Sequence, residues 1–189
     1  SEKRLVREVK TVAPRGNIYD RYGKLMVSSE ISYNVQLYYT KIEKEVLNNN
    51  LLVLANILES NGDTYFNHFP INFEEMTFKD GEDAAKNWKK SLKLEEDADA
   101  NEVIEYYRNK YKIMQTDRNE IKKIIALRYE IEINGYSSYR SVTLAKNISE
   151  SSMLMIEEQS NSLSGVNIAT QPTRKYLAGN VGAHIIGYV

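Results

Sequence analysis

The chain has 189 residues, a formal net charge of −1, 42% hydrophobic and 27% charged residues, and no cysteine. That size and mixture exclude global disorder and supply apolar side chains for one real core or two small lobes. A near-neutral charge removes the electrostatic footprint of a nucleic-acid binder. The lack of cysteine removes disulfides, thiolate catalysis and cysteine-held metals.

Ser1 to Ala13 is mildly basic, with Leu5, Val6, Val9 and Val12 interspersed, and predicts an extended lead-in. The next stretch is Arg15-Gly16-Asn17-Ile18-Tyr19-Asp20-Arg21-Tyr22-Gly23, continuing through Lys24, Leu25, Met26 and Val27. Short runs flank a four-residue turn with Asp20 first and Gly23 last. Asp there accepts hydrogen bonds from the turn's own backbone, and Gly supplies the positive φ that closes such hairpins. Tyr33, Val35 and Leu37 then alternate as in a half-buried strand.

Thr40 followed by Glu43 forms a capping-box pattern, and Leu51, Leu54, Ala55 and Leu58 share one face of the helix it predicts. Gly62 stands just past its end, and Asn48-Asn49-Asn50 is a candidate interruption. Asp63 to Asp80 is aromatic and irregular, and Gly81 to Asp99 is highly charged around Trp88. Asp99 with Glu102 and Asp117 with Glu120 repeat the capping box. They open helices bearing Val103, Tyr106 and Tyr107, and then Ile121, Ile124, Ile125, Leu127 and Ile131 up to Asn134-Gly135. Arg140 to Lys146 alternates as a strand, Ser149 caps a helix with Met153 and Ile156, and Val166, Ile168 and Thr170 form a strand that Pro172 should close.

The first stretch resembles the R-G-x-I-x-D-R-x-G-x-x-L-A signature of class B penicillin-binding proteins, with Met26 and Val27 where Leu and Ala are usual. The last one runs from Arg174 through Tyr176, Gly179, His184 and Gly187 to Tyr188 and Val189. It resembles the R-x-Y-P-x-G-x-x-A-A-H-x-x-G-Y-V block near the end of that family's non-catalytic domain, with Leu177 replacing Pro. The order of strand, Ser-capped helix and Gly-Val strand between Asn134 and Val166 is similar to clostridial and bacillar members. The resemblance implies the N-terminal pedestal, or dimerisation, domain of a peptidoglycan transpeptidase. That domain holds the catalytic domain off the membrane and docks on a SEDS-type glycan polymerase and other elongation or division proteins. It also implies a location at the extracytoplasmic face of the bacterial cytoplasmic membrane. The parent's anchoring N-terminal helix would lie upstream of this chain, and its transpeptidase beyond Val189.

Residue patterns for chemistry are missing. No apolar run reaches the roughly 18–20 residues of a membrane span, and no signal peptide is visible. The chain opens at Ser1 without Met, which reads as an excised piece. No serine has lysine three residues later, and no K-T-G occurs, so the acylating apparatus of a penicillin-binding enzyme is not expected. His68 and His184 lack metal-binding spacing, and His184 fits a structural histidine packed on a turn. No cofactor motif is present, and we expect neither catalytic nor metal-ligating residues.

We therefore expect an α+β fold with a strand-rich base from residues 1–60 and 140–189 and an inserted, mostly helical head at 61–139. Arg15, Gly16, Asp20, Arg21, Gly23, Arg174, Tyr176, Gly179, His184, Gly187 and Tyr188 are its structural motif residues. Arg15, Asp20, Arg21 and Arg174 are expected to share a bidentate ion-pair network. The aromatics of the middle third fit a small core first, and any exposed among Tyr65, Phe66, Phe69 and Phe73 are candidates for partner binding. The alternatives are an extracellular ligand-sensing domain, marked by a deep apolar pocket, and a cell-wall hydrolase fragment, marked by converging acids in a cleft.

Overall fold

A computed structural model describes residues 15–135 and 137–177. The fold is α+β, with five helices and antiparallel strands among the described residues. Its organising strand is β2 (Leu25–Leu37). One edge of β2 pairs along eleven register positions with β6 (Val166–Tyr176), from Val27 opposite Tyr176 to Leu37 opposite Val166. The other edge is shared by β1 (Ile18–Tyr19), at Leu25 and Val27, and by β5 (Val142–Ile148), from Tyr33 to Leu37.

The strand alternation has a direct consequence for packing. Val35 and Leu37 turn into an aliphatic cluster, where α1 (Lys44–Ser60) contributes Leu47, Leu51, Leu54, Ala55, Ile57 and Leu58. Their i, i+3, i+4, i+7 spacing places them on one helical stripe, and each such side chain contributes about 1.5–3 kcal/mol when fully buried. α5 (Glu150–Glu158) adds Met153 and Ile156 to the same cluster. On either side of Val35 the polar residues Asn34 and Gln36 alternate onto the opposite face. Asn34 Oδ1 accepts from the Asn147 amide at 3.1 Å, and its Nδ2 donates to Gln171 Oε1 at 3.4 Å, joining three strands.

A second cluster is aromatic. It is built on the β3 (Ile71–Asn72) and β4 (Thr77–Phe78) hairpin, α2 (Gly81–Ser91), α3 (Ala100–Tyr111) and the first turns of α4 (Arg118–Asn134). Phe69 is at its centre, with edge-on contacts to Trp88, Tyr107 and Tyr129 at ring separations of 5.7, 5.2 and 5.3 Å. α4 serves both clusters, giving Ile121, Ile124 and Ile125 to the aromatic one and Leu127 and Ile131 to the aliphatic one.

Helix starts follow the local chemistry. Asp99 and Glu102 complete a reciprocal capping box at α3, Asp117 accepts from the Glu120 amide at α4, and Ser149 accepts from the Ser152 amide at α5. The Thr40 box does not form. α1 begins at Lys44 after Glu43, without a side-chain cap. Thr40 instead packs where the chain enters β6, because Gly165 (φ +81°) sits so close that a Cβ would stand 2.3 Å from Tyr38 O and 3.3 Å from Thr40 Cγ2. The asparagine run does not break α1 either. Asn48 is buried, and its Nδ2 donates to the carbonyls of Tyr111 and Lys112 at 2.9 and 3.1 Å.

β6 also departs from the sequence expectation by running through Pro172 to Tyr176. It pairs only with β2 among the described residues, so the missing proline N–H leaves no ladder bond broken on its outer edge. Asp63 links the end of α1 to α5. Its carboxylate accepts from the Ser149 amide at 3.0 Å and from the hydroxyls of Ser149 and Ser152 at 2.7 and 2.5 Å. Burial pushes this carboxyl up, but the Ser152 and Ser149 bonds outweigh it and hold Asp63 below the ordinary carboxylate range.

Candidate functional site

Two regions of the surface have organised chemistry. The first is the free end of the sheet. Asp20 Oδ1 accepts from the amides of Tyr22 and Lys24, both at 2.9 Å, and the Gly23 amide donates to Asp20 O at 3.0 Å. Gly23 has φ +78°, which an L side chain adopts only with strain. The turn thus pins β1 on β2. Asn17 Oδ1 accepts from the Ser29 amide at 3.0 Å, and Ser29 Oγ donates to the Arg15 carbonyl.

Across the same few residues of β2, Arg174 lies opposite Ser29, Tyr176 lies opposite Val27, and the Leu177 amide donates to Met26 O at 2.9 Å. The two sequence motifs, some 150 residues apart, meet on one strand through their described parts. This end stands clear of both apolar clusters. Tyr22, Tyr19, Tyr176 and Leu177 are 80%, 57%, 50% and 48% exposed, and the Arg21 guanidinium lies 4.8 Å from the Tyr22 ring centre.

The ion-pair network expected of Arg15, Asp20, Arg21 and Arg174 is not formed among the described residues. The Asp20 carboxylate is directed to turn amides, and no described salt bridge joins it to an arginine. Lys175 pairs with Glu30 instead, at 3.6 Å. Nothing in the structure explains Gly16, where a Cβ would meet no atom within 4 Å. Gly179, His184, Gly187 and Tyr188 lie outside the described residues.

Of the four aromatics offered as partner contacts, two are corrected by their burial. Phe69 is 1% and Phe73 8% exposed, at the heart of the aromatic cluster, so neither reaches a partner. Tyr65 is half-buried against the aliphatic cluster and donates its hydroxyl to Glu59 Oε1 at 2.9 Å. Its burial and that bond both raise the phenol's pKa above the ordinary range. Phe66 is half-buried and donates its amide to Leu144 O at 2.8 Å, on the edge of β5 that faces away from β2.

Phe66 leads to the second region, an open groove of about 640 Å³ between the end of α4, β5 and the segment 66–68. The Phe66 ring stacks at 6.1 Å on His68, whose Nδ1 reaches both oxygens of Glu130 at 2.7 and 3.0 Å. Glu130 is 2% exposed and receives a further hydrogen bond from the His68 amide at 3.4 Å. Sequence reading missed this pair because 62 positions separate its members, and position 130 falls on the buried face of a helix. Among the described residues no three His, Cys, Asp or Glu side chains converge as a metal site, and no helix is long and apolar enough to cross a membrane.

The family of the penicillin-binding protein dimerisation domain matches residues 10–189, and the chain belongs to it. That domain is the non-catalytic part of penicillin-binding proteins. Among solved structures the chain is similar to penicillin-binding protein 2B of Streptococcus pneumoniae strain 5204, at 21% identity and a TM-score of 0.47, covering 93% of this chain and 28% of that one. For the protein of strain R6 the values are 19%, 0.46, 93% and 27%. A complex of PBP2 with MreC from Helicobacter pylori gives 13%, 0.42, 94% and 22%. The chain therefore spans about a quarter of the length of these relatives. No curated protein matches it.

Proposed function

We propose that the chain is the scaffold and docking domain of a peptidoglycan transpeptidase. In this reading residues 1–60 and 140–189 form a base that positions the transpeptidase domain, and residues 61–139 form an inserted head. The assembly works at the extracytoplasmic face of the bacterial cytoplasmic membrane, anchored by an N-terminal helix outside this chain. It contacts a SEDS-type glycan polymerase together with cell-wall elongation or division proteins.

The observation that carries this reading is the free end of the sheet. Two motifs from opposite ends of the chain converge on β2, yet their tyrosines and Leu177 are left at the surface with Arg21 and Arg174 beside them. Tyrosine and arginine exposed together on a rigid sheet suit a protein interface, where both residue types are enriched. A domain with no reactive group alters catalysis only by binding one state of a partner more tightly than another.

The test is reconstitution of the longer protein with its glycan polymerase, with and without this domain. Deleting the domain should lower glycan polymerisation while the remaining transpeptidase still reacts with a fluorescent penicillin. Undiminished polymerisation overturns the docking role. A fluorescent band on the isolated chain, dependent on one of its serines, overturns the non-catalytic reading.

A further inference from the structure

The groove beside β5 has a charge pattern that the scaffold role does not use. Four of its lining residues are Glu130, Glu132, Arg140 and Lys146. Both carboxylates are already partnered within the protein. Glu130 holds His68, and Glu132 is bonded by Lys110 Nζ and the Tyr111 hydroxyl. Arg140 and Lys146 are exposed, and neither has a carboxylate partner among the described residues. The groove thus offers two uncompensated cations beside a satisfied carboxylate wall. An anionic occupant gains both attractions and meets negative charge that its neighbours have already screened.

The backbone favours one shape of occupant. β5 pairs with β2 on one edge, and on its other edge the bond from the Phe66 amide to Leu144 O is made beside the groove. Next to it, Ser141 to Thr143 line the groove with no described strand beyond them, while the Arg140 amide is bonded to Ser137 O and its side chain remains exposed. An extended segment laid there would continue the sheet, its backbone bonding the open edge and its side chains alternating about every 3.3 Å. The rim adds apolar surface through Ile133, 50% exposed, and the half-buried Phe66 ring.

We propose that this groove is a docking site for an acidic, extended peptide of a partner protein, bound along the outer edge of β5 with its carboxylates on Arg140 and Lys146. The inference rests on the groove alone and holds or fails independently of the polymerase contact.

The experiment is an NMR titration of the 189-residue chain with two capped probe peptides, Ser-Glu-Ile-Glu-Ser and Ser-Lys-Ile-Lys-Ser. The acidic probe should shift the amides of Phe66, Arg140 to Thr143 and Lys146, and should bind at least about tenfold more tightly than the basic one. Raising the salt should weaken it, since exposed charges are screened within about a Debye length. The double variant R140Q/K146Q changes only exposed positions and should lose about tenfold in affinity with an unaltered circular dichroism spectrum. Equal binding of the two probes, shifts confined to other surfaces, or full affinity in R140Q/K146Q overturns the proposal. Groove shifts that grow with protein concentration alone would assign the surface to a second copy of the chain and overturn it as well.

Discussion

The two apolar clusters solve the same problem with different materials. The cluster on the sheet is aliphatic and draws its members from residues 35–58 and 127–166, on either side of the aromatic stretch, so its geometry depends on the long β2–β6 ladder. The other is aromatic and is made from one continuous middle stretch, with Phe69 as hub of four ring contacts to Phe73, Trp88, Tyr107 and Tyr129. Strands register small branched side chains well, whereas short helices and a two-residue hairpin leave irregular gaps that large rings fill edge to face. Sequence-distant contacts thus build the aliphatic part, and local contacts build the aromatic one.

Removing the hub is the harshest test of that contrast. Phe69→Ala should cost about 3–5 kcal/mol, the range for deleting a buried ring from a packed core. The single tryptophan, Trp88, lies in the aromatic cluster and reports on it by fluorescence, while far-ultraviolet circular dichroism reports on all helices. Because α4 feeds both clusters, the two signals should move to one lower midpoint in denaturant. Separate midpoints would mean that the clusters fold independently.

A smaller effect is expected where α5 is tied to the end of α1. Asp63→Ala should destabilise by about 1–2 kcal/mol at neutral pH, because three donors on Ser149 and Ser152 lose their acceptor. The folded state holds this carboxyl's pKa below its unfolded value, so its contribution is fully present above the unfolded value and is lost as pH falls through the folded one. Stability measured from pH 7 down to about pH 2 should show wild type and variant converging at the acid end. A constant difference would remove Asp63 as the source. Smaller still, Asp20→Ala should cost about 1 kcal/mol, the scale of a turn's side-chain-to-backbone bonds, and should leave the aromatic cluster untouched. A loss of several kcal/mol would restore the buried ion-pair network.

The sequence disclosed most of what local chemistry controls. Asp99, Asp117 and Ser149 each announced a helix, and the Asp20–Gly23 turn announced the hairpin, because in each case the deciding bonds lie within four residues. Thr40 misled because its place is set by Gly165, 125 residues away. α2 was hidden by Lys89, a charged residue on the inward face whose Nζ is satisfied by Glu82 at 3.0 Å, by Glu96 O at 2.9 Å and by the face of Phe78. The groove was unreadable for the same reason as the His68–Glu130 pair, since its walls come from three separate segments. The aromatics of the middle third could be read as a small core, but not which of Tyr65, Phe66, Phe69 and Phe73 point inward, because an irregular segment carries no period from which to assign faces.

The central claim concerns the other contrast within the sheet, between the half of β2 covered by helices and the half left at the surface. Hydrogen exchange of the isolated chain and of the longer protein measures it directly. If, as proposed, a transpeptidase domain of a longer protein covers this end, the amides of Ser28 to Ile31 and Thr173 to Tyr176 should exchange at least about tenfold more slowly there than in the isolated chain, while those around Val35 and Leu37 should stay unchanged. Equal exchange at the free end in both proteins would contradict the account.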